Sequence, residues 1–286
     1  MAANNAQGAG FGRRGDLTDG HSWAGGLGVL ADLQGDDHYQ AGNFAQGLGY
    51  WFGTGLLLDA AGDDLYQTVY FSQGAGAHYG LGLLYDAAGN DRHLLQREAG
   101  ASLGYGWDFA LGLLVDSGGD DLYRARTTSL GAAHRSSLGL FLELAGDDRY
   151  EVPAQLPGLG CIGLGYAGEN PAGHDPGGPL RAAAEAAQIG LFLDLGGHDR
   201  YGRPGETGTG QAEPEVRYGN DRHWTWPVDP TRTLGRYLGT GLDLQQPTPP
   251  APVLWLLTAF DVLPLECQTG FSPRVEDSEV TGIPNP

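Results

Sequence analysis

The acidic residues of this chain recur in a local pattern that suits either cation binding or the capping of turns. A motif of glycine, one polar residue and aspartate occurs seven times, and only its middle residue varies, among Asp, Asn and His. The aspartates of these corners are Asp37, Asp64, Asp91, Asp121, Asp148, Asp199 and Asp221. A second acid precedes six of them at a constant distance: Asp32, Asp59, Asp86, Asp116, Glu143 and Asp194. Carboxylate oxygens bind Ca²⁺, and Asp also accepts backbone N–H bonds in turns.

The corners belong to a repeated unit of about 27 residues. Their glycines are 27, 27, 30, 27, 51 and 22 residues apart, and self-similarity at such a period is typical of a solenoid or an array. Because 51 is nearly two periods, we expect an insertion at about 167–187, with a short helix in PLRAAAEAAQ (179–188).

Each unit has three parts that together predict one turn of a parallel β-helix. An apolar strand that ends in an acid, such as TGLLLD (54–59), is followed by the corner and a second strand, and then by a Gly-rich third side. The predicted fold is therefore all-β: a parallel β-helix, or β-solenoid, over residues 1–201. Residues 202–286, where the repeats decay and proline rises, are predicted to form a degenerate repeat and an irregular C-terminal cap.

Stacking of such units would align equivalent residues into columns. The ring that ends each corner would form one column, which we expect to point inward: Tyr39, Tyr66, His93, Tyr123, Tyr150 and Tyr201. In the apolar strand both the third position, such as Leu56, and the fourth, such as Leu57, are apolar, so both faces of this sheet are predicted to be buried. The outer face would then need cover from another copy or from PVLWLLTAFDVLPL (252–265).

Stacked carboxylates repel, and three arrangements could offset the repulsion: turn capping, pairing with arginine, or a bound cation. Arginine follows the aspartate in four corners, at Arg92, Arg149, Arg200 and Arg222. The three corners without arginine supply the metal candidates Asp37, Asp64 and Asp121, and the strand-end acids Asp59 and Asp116 complete the candidate set. Turn capping and a metal both remain open at this stage.

Two corners, SGGDDLY (117–123) and LGGHDRY (195–201), resemble the core of the RTX nonapeptide, G-G-x-G-x-D-x-U-x. The resemblance implies Ca²⁺ bound by the corner aspartates between turns of a parallel β-roll. The chain departs from the RTX pattern in its period, 27 residues rather than about 18, and in lacking the doubled glycine in most corners.

The Gly-rich third side carries bulky rings that could form a stacking platform for a sugar or a protein partner. The candidate ligand-binding residues are Trp51, His78, Trp107 and His134. The alternative for each ring is an inward position in the core. A polysaccharide lyase or hydrolase would need paired acids, for which Asp108, Glu169, His174 and His134 are candidates, but no catalytic set is assigned.

The composition and charge of the chain argue against nucleic-acid binding and against a membrane span. With 35 acidic and 16 basic residues and a net charge of −19, the chain is a poor partner for nucleic acid. No stretch has the length and apolarity of a membrane span, and the N-terminus does not resemble a signal peptide. We expect a non-enzymatic structural or binding module, with Ca²⁺ as candidate cofactor, outside the cell or on its surface. The alternatives are a polysaccharide-active enzyme and a self-associating module that pairs through its apolar sheet face.

Overall fold

The computed structural model describes residues 4–12, 25–96, 100–125, 128–152, 164–168, 188–202, 219–225 and 237–245. Within these ranges the chain is all-β, with 22 strands and no helix. None of the described residues forms a helix that is long and apolar enough to cross a membrane. The chain divides into two units, Met1–Pro247 and Thr248–Pro286, of which only the first contains described residues.

In chain order the strands are β1 (Asn4–Ala6), β2 (Gly10–Phe11), β3 (Leu27–Ala31), β4 (His38–Gln40), β5 (Asn43–Ala45), β6 (Gly49–Tyr50), β7 (Thr54–Asp59), β8 (Leu65–Thr68), β9 (Tyr70–Ser72), β10 (Gly76–Ala77), β11 (Leu81–Asp86), β12 (Arg92–Leu95), β13 (Gly106–Trp107), β14 (Leu111–Asp116), β15 (Leu122–Arg124), β16 (Ala133–His134), β17 (Leu138–Glu143), β18 (Arg149–Glu151), β19 (Gln188–Asp194), β20 (Arg200–Gly202), β21 (Arg222–Thr225) and β22 (Tyr237–Asp243).

These strands form four sheets that are parallel at every pairing except one. The largest has eight strands in the order β21-β22-β19-β17-β14-β11-β7-β3, and only β21 and β22 pair antiparallel. The second strands of the units form a six-stranded sheet, β20-β18-β15-β12-β8-β4. The third sides form a five-stranded sheet, β16-β13-β10-β6-β2, and a three-stranded one, β1-β5-β9. The protein is thus all-β with mostly parallel sheets.

The register of the sheets joins equivalent positions of successive units. Leu57 pairs with Leu84, and Tyr66 pairs with His93. Phe141 of β17 pairs with Phe192 of β19, 51 residues further on. The predicted insertion and its helix lie almost entirely outside the described residues, as does most of the predicted cap, so both stay predictions.

Close packing between sheets explains the glycine at the second position of the apolar strand. A Cβ at Gly55 would lie 1.9 Å from the carbonyl oxygen of Leu48, so no larger residue fits there. The corner glycine is required for a second reason: Gly62 has a φ of +153°, and a Cβ there would lie 1.6 Å from the carbonyl oxygen of Gly35.

The large sheet buries one face and leaves the other partly exposed. In β7, β11 and β14 the even positions, which include Leu57, are buried, and the odd positions, which include Leu56, are partly exposed or exposed. At the end of the sheet Val29 is 52% exposed. In the single chain the outer face is thus only partly covered, and its predicted burial by another copy or by residues 252–265 stays a prediction. The proposed covering segment 252–265 lies outside the described residues.

Candidate functional site: interior acids and outer rings

The corner aspartates form a hydrogen-bonded ladder along the interior. The backbone N–H of Asp37 donates to Asp64 Oδ1 at 2.6 Å, and the N–H of Asp64 donates to Asp91 Oδ1 at 2.6 Å. Asp121, Asp148 and Asp199 continue the ladder by accepting the N–H of Asp91, Asp121 and Asp148 respectively. One oxygen of each of these acids therefore caps the equivalent residue of the preceding unit. The constant aspartate is a turn cap whatever else its second oxygen binds.

The variable residue of the corner forms a second ladder that runs in the opposite direction. Asp63 Oδ1 accepts the N–H of Asn90 at 2.8 Å, and Asn90 Oδ1 accepts the N–H of Asp120 at 2.9 Å. Asp and Asn both offer an Oδ1 acceptor, which explains why they interchange at this exposed position. His198 stands where the ladder ends and donates its N–H to Asp147 Oδ1.

The seventh corner departs from the sequence prediction. The N–H of Asp199 donates to Asn220 Oδ1 at 2.7 Å, so Asn220 holds the ladder position that the motif assigned to Asp221. Asp221 has a φ of 56° and instead accepts the N–H of Gln245. The motif-based assignment is thus wrong by one residue at this corner, which leads into β21, the one strand that pairs antiparallel.

The predicted inward column of rings is confirmed. Successive rings stack with centroids 4.5 to 5.4 Å apart: Tyr39, Tyr66, His93, Tyr123, Tyr150 and Tyr201. All but the last are buried. This column lines the interior beside the corner acids, so the hydroxyls of its tyrosines lie among carboxylates.

Each tyrosine hydroxyl reaches the strand-end acid of the following unit. Tyr66 donates to Asp86 Oδ2 at 2.6 Å, and Tyr150 donates to Asp194 Oδ2 at 2.7 Å. Tyr39 likewise reaches Asp59. Tyr201 donates to Asp243 Oδ2. Sequence reasoning missed Asp243, although the segment LGTGLD (238–243) ends in an acid as the other apolar strands do.

The column has a defect at His93, which stands where the other five units have tyrosine. Asp116 consequently receives no hydroxyl from the preceding unit. Tyr123 instead lies 2.8 Å from Asp116 Oδ2 and 2.6 Å from Glu143 Oε2. One hydroxyl hydrogen serves only one acceptor, so the second carboxyl approaches as an acid that donates to the tyrosine oxygen. Burial, together with the neighbouring carboxylates, raises the pKa of Glu143 well above its ordinary value, which favours a proton on Glu143.

Within the described parts of the chain, three groups of interior side chains could hold a metal ion. They are Asp86–Asp91–His93, Asp91–Asp116–Asp121 and Asp148–Asp194–Asp199, and in each group the ligand atoms lie within 4.8 Å of one another. Of the predicted metal ligands, Asp116 and Asp121 belong to these groups. Asp37, Asp59 and Asp64 belong to none of the three, although Asp59 and Asp64 are buried in the same acid column.

Several of these carboxyls have one buried oxygen that makes no hydrogen bond. Asp91 Oδ2, Asp148 Oδ2 and Asp199 Oδ2 are such atoms. Burial, together with neighbouring carboxylates, raises the pKa of Asp91, Asp121 and Asp148 to about 9 and that of Asp199 to about 7. The interior acids therefore need protons or a cation at neutral pH.

The outer rings lie on tight turns of the third side. Trp51 and His78 are partly exposed, with ring centroids 5.5 Å apart, and His78 Nδ1 lies 2.7 Å from Asp108 Oδ2. Trp107 is partly exposed beneath the guanidinium of Arg135, 4.8 Å from the ring centroid. These three predicted ligand-binding residues thus reach the surface.

His134, the fourth predicted ligand-binding residue, is 1% exposed and packs against the rings of Trp107 and Tyr105. Burial lowers the pKa of His134 to about 4, so the imidazole is neutral at physiological pH. His134 supports the surface rings and does not itself face solvent. Of the catalytic candidates, Asp108 pairs with His78, and Glu169 and His174 lie outside the described residues.

Sequence reasoning missed a ladder of parallel rings on these turns. Phe52 and Tyr79 stack at 4.8 Å, and Tyr79 and Phe109 stack at 5.2 Å. All three have a φ near +60°, as do the residues before them, which is the pattern of a type I′ turn. Glycine and asparagine favour this conformation, so bulky rings there are strained. The side chains of these pairs do not predict a positive φ, and the only hint in the sequence is the small residue that follows each pair: Gly53, Gly80 or Ala110.

Comparison with protein-family models, with curated proteins and with solved structures gave no match. The geometry of the chain itself therefore carries the functional argument.

Proposed function

We propose that this protein is a non-enzymatic structural β-solenoid that assembles through the outer face of its eight-stranded sheet. The observation that carries the proposal is the composition of that face. Its third-position residues are all apolar and none is fully buried: Val29, Leu56, Leu83, Leu113, Leu140 and Leu191. The solenoid itself is supported by parallel pairing between equivalent positions of successive units in all four sheets.

The outer face differs in character from the rest of the molecule. The chain has a net charge of −19, yet β7, β11, β14 and β17 direct no charged side chain outward, because their acids are buried at the strand ends. Contiguous apolar surface of this kind usually marks an interface. Like residues in register along the sheet suit a second copy related by a two-fold axis, because an isologous interface brings the same patch from both subunits together.

The proposal is tested by substituting one outward leucine in each of two sheets. Leu83→Asp places a charge on the outer face of the large sheet, and Leu65→Asp is the matched control because Leu65 is an equally half-buried outward leucine of β8. Sedimentation should show a dimer for the wild type and for Leu65→Asp, and a monomer for Leu83→Asp. A monomeric wild type that dimerises only when residues 252–265 are deleted would show that this segment covers the face, and would overturn the assembly proposal.

A second candidate function is ligand binding on the ring-bearing turns, which the strained backbone at Phe52, Tyr79 and Phe109 favours. Strain of this kind concentrates at functional sites because selection for binding outweighs its cost. Exposed ring edges, together with the His78–Asp108 pair, would suit a polysaccharide or a protein partner outside the cell. A glycan array with the wild type and with Trp51→Ala tests it, and equal signals from both would exclude this side as the site.

Calcium is a candidate for Asp148–Asp194–Asp199, which is one of the two described groups with oxygen ligands alone. Ca²⁺ prefers carboxylate and carbonyl oxygens, and the unpartnered Oδ2 atoms of Asp148 and Asp199 would be its first ligands. The RTX resemblance implies Ca²⁺ binding by the corner aspartates, which include Asp148 and Asp199. The Oδ1 atom of each already accepts a backbone N–H bond, so Oδ2 is the oxygen left for an ion. Melting after refolding with Ca²⁺ or with chelator tests this, and Asp199→Asn should abolish any Ca²⁺-dependent shift.

A further inference from the structure

His93 is the one member of the ring column that brings a nitrogen into the interior. Its ring stacks on Tyr66 at 4.5 Å and on Tyr123 at 5.0 Å, nearly parallel to both. A tyrosine would stack equally well, as it does in the other five units. Ring stacking therefore does not explain why residue 93 is a histidine. The two ring nitrogens are the feature of the imidazole that tyrosine lacks.

The hydrogen bonds around Gln73 determine which nitrogen carries the proton. Gln73 Nε2 lies 3.1 Å from Thr68 Oγ1 and 3.5 Å from the carbonyl oxygen of Tyr66, which can only accept. Gln73 Oε1 therefore faces His93, and His93 Nδ1, at 3.2 Å, must be the donor. In the neutral ring this leaves Nε2 unprotonated, with its lone pair directed away from Gln73.

His93 Nε2 is buried and makes no hydrogen bond. The nearest charged atom is Asp116 Oδ2 at 3.7 Å, which is beyond hydrogen-bond distance. His93 and Asp91 are 0% and 1% exposed, and His93 Nε2 and Asp91 Oδ2 are both without a partner. Buried acceptors that face one another are costly unless something positive lies between them.

The surrounding acids are placed to share an ion with this nitrogen. The ligand atoms of Asp86, Asp91 and His93 lie within 4.8 Å of one another. Four-coordinate ions with bonds of about 2.0–2.1 Å hold their ligands about 3.4 Å apart, close to the His93–Asp116 separation. Neighbouring groups also hold these side chains in place: Gln73 Oε1 accepts from His93 Nδ1, and the hydroxyls of Tyr66 and Tyr123 donate to Asp86 and Asp116.

We propose that His93 Nε2, Asp91 and Asp86 form a buried site for one divalent transition-metal ion of the Zn²⁺ type, with Asp116 Oδ2, 3.7 Å from Nε2, as the adjacent carboxylate. A mixed set of imidazole nitrogen and carboxylate oxygen suits Zn²⁺, whereas Ca²⁺ takes oxygen ligands alone. The ion would neutralise carboxylates that otherwise repel across successive units. This site is independent of the proposed assembly, since it lies inside the sheets and the assembly uses their outer face.

Refolding is the way to test the site, because an ion must enter a fully buried site while the chain folds. The full chain is unfolded, stripped of metal with chelator, refolded with Zn²⁺ or with chelator, and dialysed. Elemental analysis should find about one zinc per chain in the wild type, and the melting temperature should rise relative to the chelator-treated sample.

His93→Tyr is the matched variant, because tyrosine is what the chain itself has at this place in five other units. The variant keeps the ring stack, and its hydroxyl would reach Asp116 as that of Tyr66 reaches Asp86. It should fold, retain no zinc and show no zinc-dependent melting shift. Should it fail to fold, Asp91→Asn keeps the Oδ1 that accepts the N–H of Asp64 and removes one ligand charge. Wild type without bound zinc, or equal zinc in wild type and His93→Tyr, would overturn the proposal.

Discussion

Asp91 Oδ1 accepts the backbone N–H of Asp64 at 2.6 Å, across a gap of 27 residues in the chain. The same bond recurs between the corner residues of the neighbouring units, so each of five constant aspartates caps the turn that precedes it by one unit: Asp64, Asp91, Asp121, Asp148 and Asp199. The accepting carboxyls are buried, so the stability of the fold should depend on two properties that can be measured separately. The first is the presence of an Oδ1 acceptor at each corner, and the second is the protonation of the Oδ2 atom.

Replacement of one ladder aspartate by alanine should lower the free energy of unfolding, whereas replacement by asparagine should not. Asp148→Ala leaves the buried N–H of Asp121 without a partner, and a lost buried hydrogen bond costs about 1–3 kcal/mol. Asp148→Asn retains an Oδ1 acceptor, as Asn220 does for the N–H of Asp199. In urea denaturation, the wild type and Asp148→Asn should therefore have higher free energies of unfolding than Asp148→Ala. Equal losses for both variants would contradict the capping role.

Stability should fall as pH rises from about 5 to 9, the reverse of ordinary acid denaturation. Burial raises the folded-state pKa of Asp148 to about 9 and that of Asp199 to about 7, while an unfolded Asp titrates near about 3.9. Between these values the folded state binds more protons than the unfolded state, so each rise in pH favours unfolding.

Melting curves from pH 5 to 9 in the presence of chelator measure this effect without a contribution from bound cations. The Asp148→Asn variant should show a shallower decline, because it removes one of the groups with a raised pKa. A wild-type midpoint that rises steadily over this range would show that the interior acids are ionised in the folded state.

Each tyrosine hydroxyl in the middle of the ring column should contribute more to the free energy of unfolding than the hydroxyl at its end. Tyr150→Phe removes the donor to Asp194 Oδ2 from a fully buried position, which should cost about 1–3 kcal/mol. Tyr201 is only partly buried, so Tyr201→Phe should cost less. Chemical denaturation of both variants provides the comparison, and a larger loss for Tyr201→Phe would show that burial does not set the strength of these bonds.

Relief of backbone strain on the ring-bearing turns should offset the loss of ring stacking. Tyr79 has a φ of 62°, and glycine adopts that conformation without the strain of about 1–3 kcal/mol. Tyr79→Gly also loses two stacked contacts, worth about 0.5–1.5 kcal/mol each. The net change in unfolding free energy should thus be within about 2 kcal/mol in either direction. A loss of several kcal/mol would mean that these rings are needed for the fold rather than retained for binding.

Much of the architecture could be predicted because it depends on periodicity. Equivalent residues of a repeated unit must align when parallel strands pair, so the inward column from Tyr39 to Tyr201 and the inward apolar position of Leu57 followed from spacing alone. Hydropathy indicated that both faces of this sheet are apolar, but only the structure decided that Leu57, and not Leu56, points into the core.

The sequence by itself determined the all-β class, the unit length and the alignment of rings and acids, since all three follow from repeated spacing. Only the tertiary structure decided the direction of each hydrogen bond, the exchange of Asn220 for Asp221, and the contacts of His93 with Gln73 and Asp116. These depend on side chains from different units that meet at a few ångströms, a proximity that strand register creates and that residue order alone does not encode.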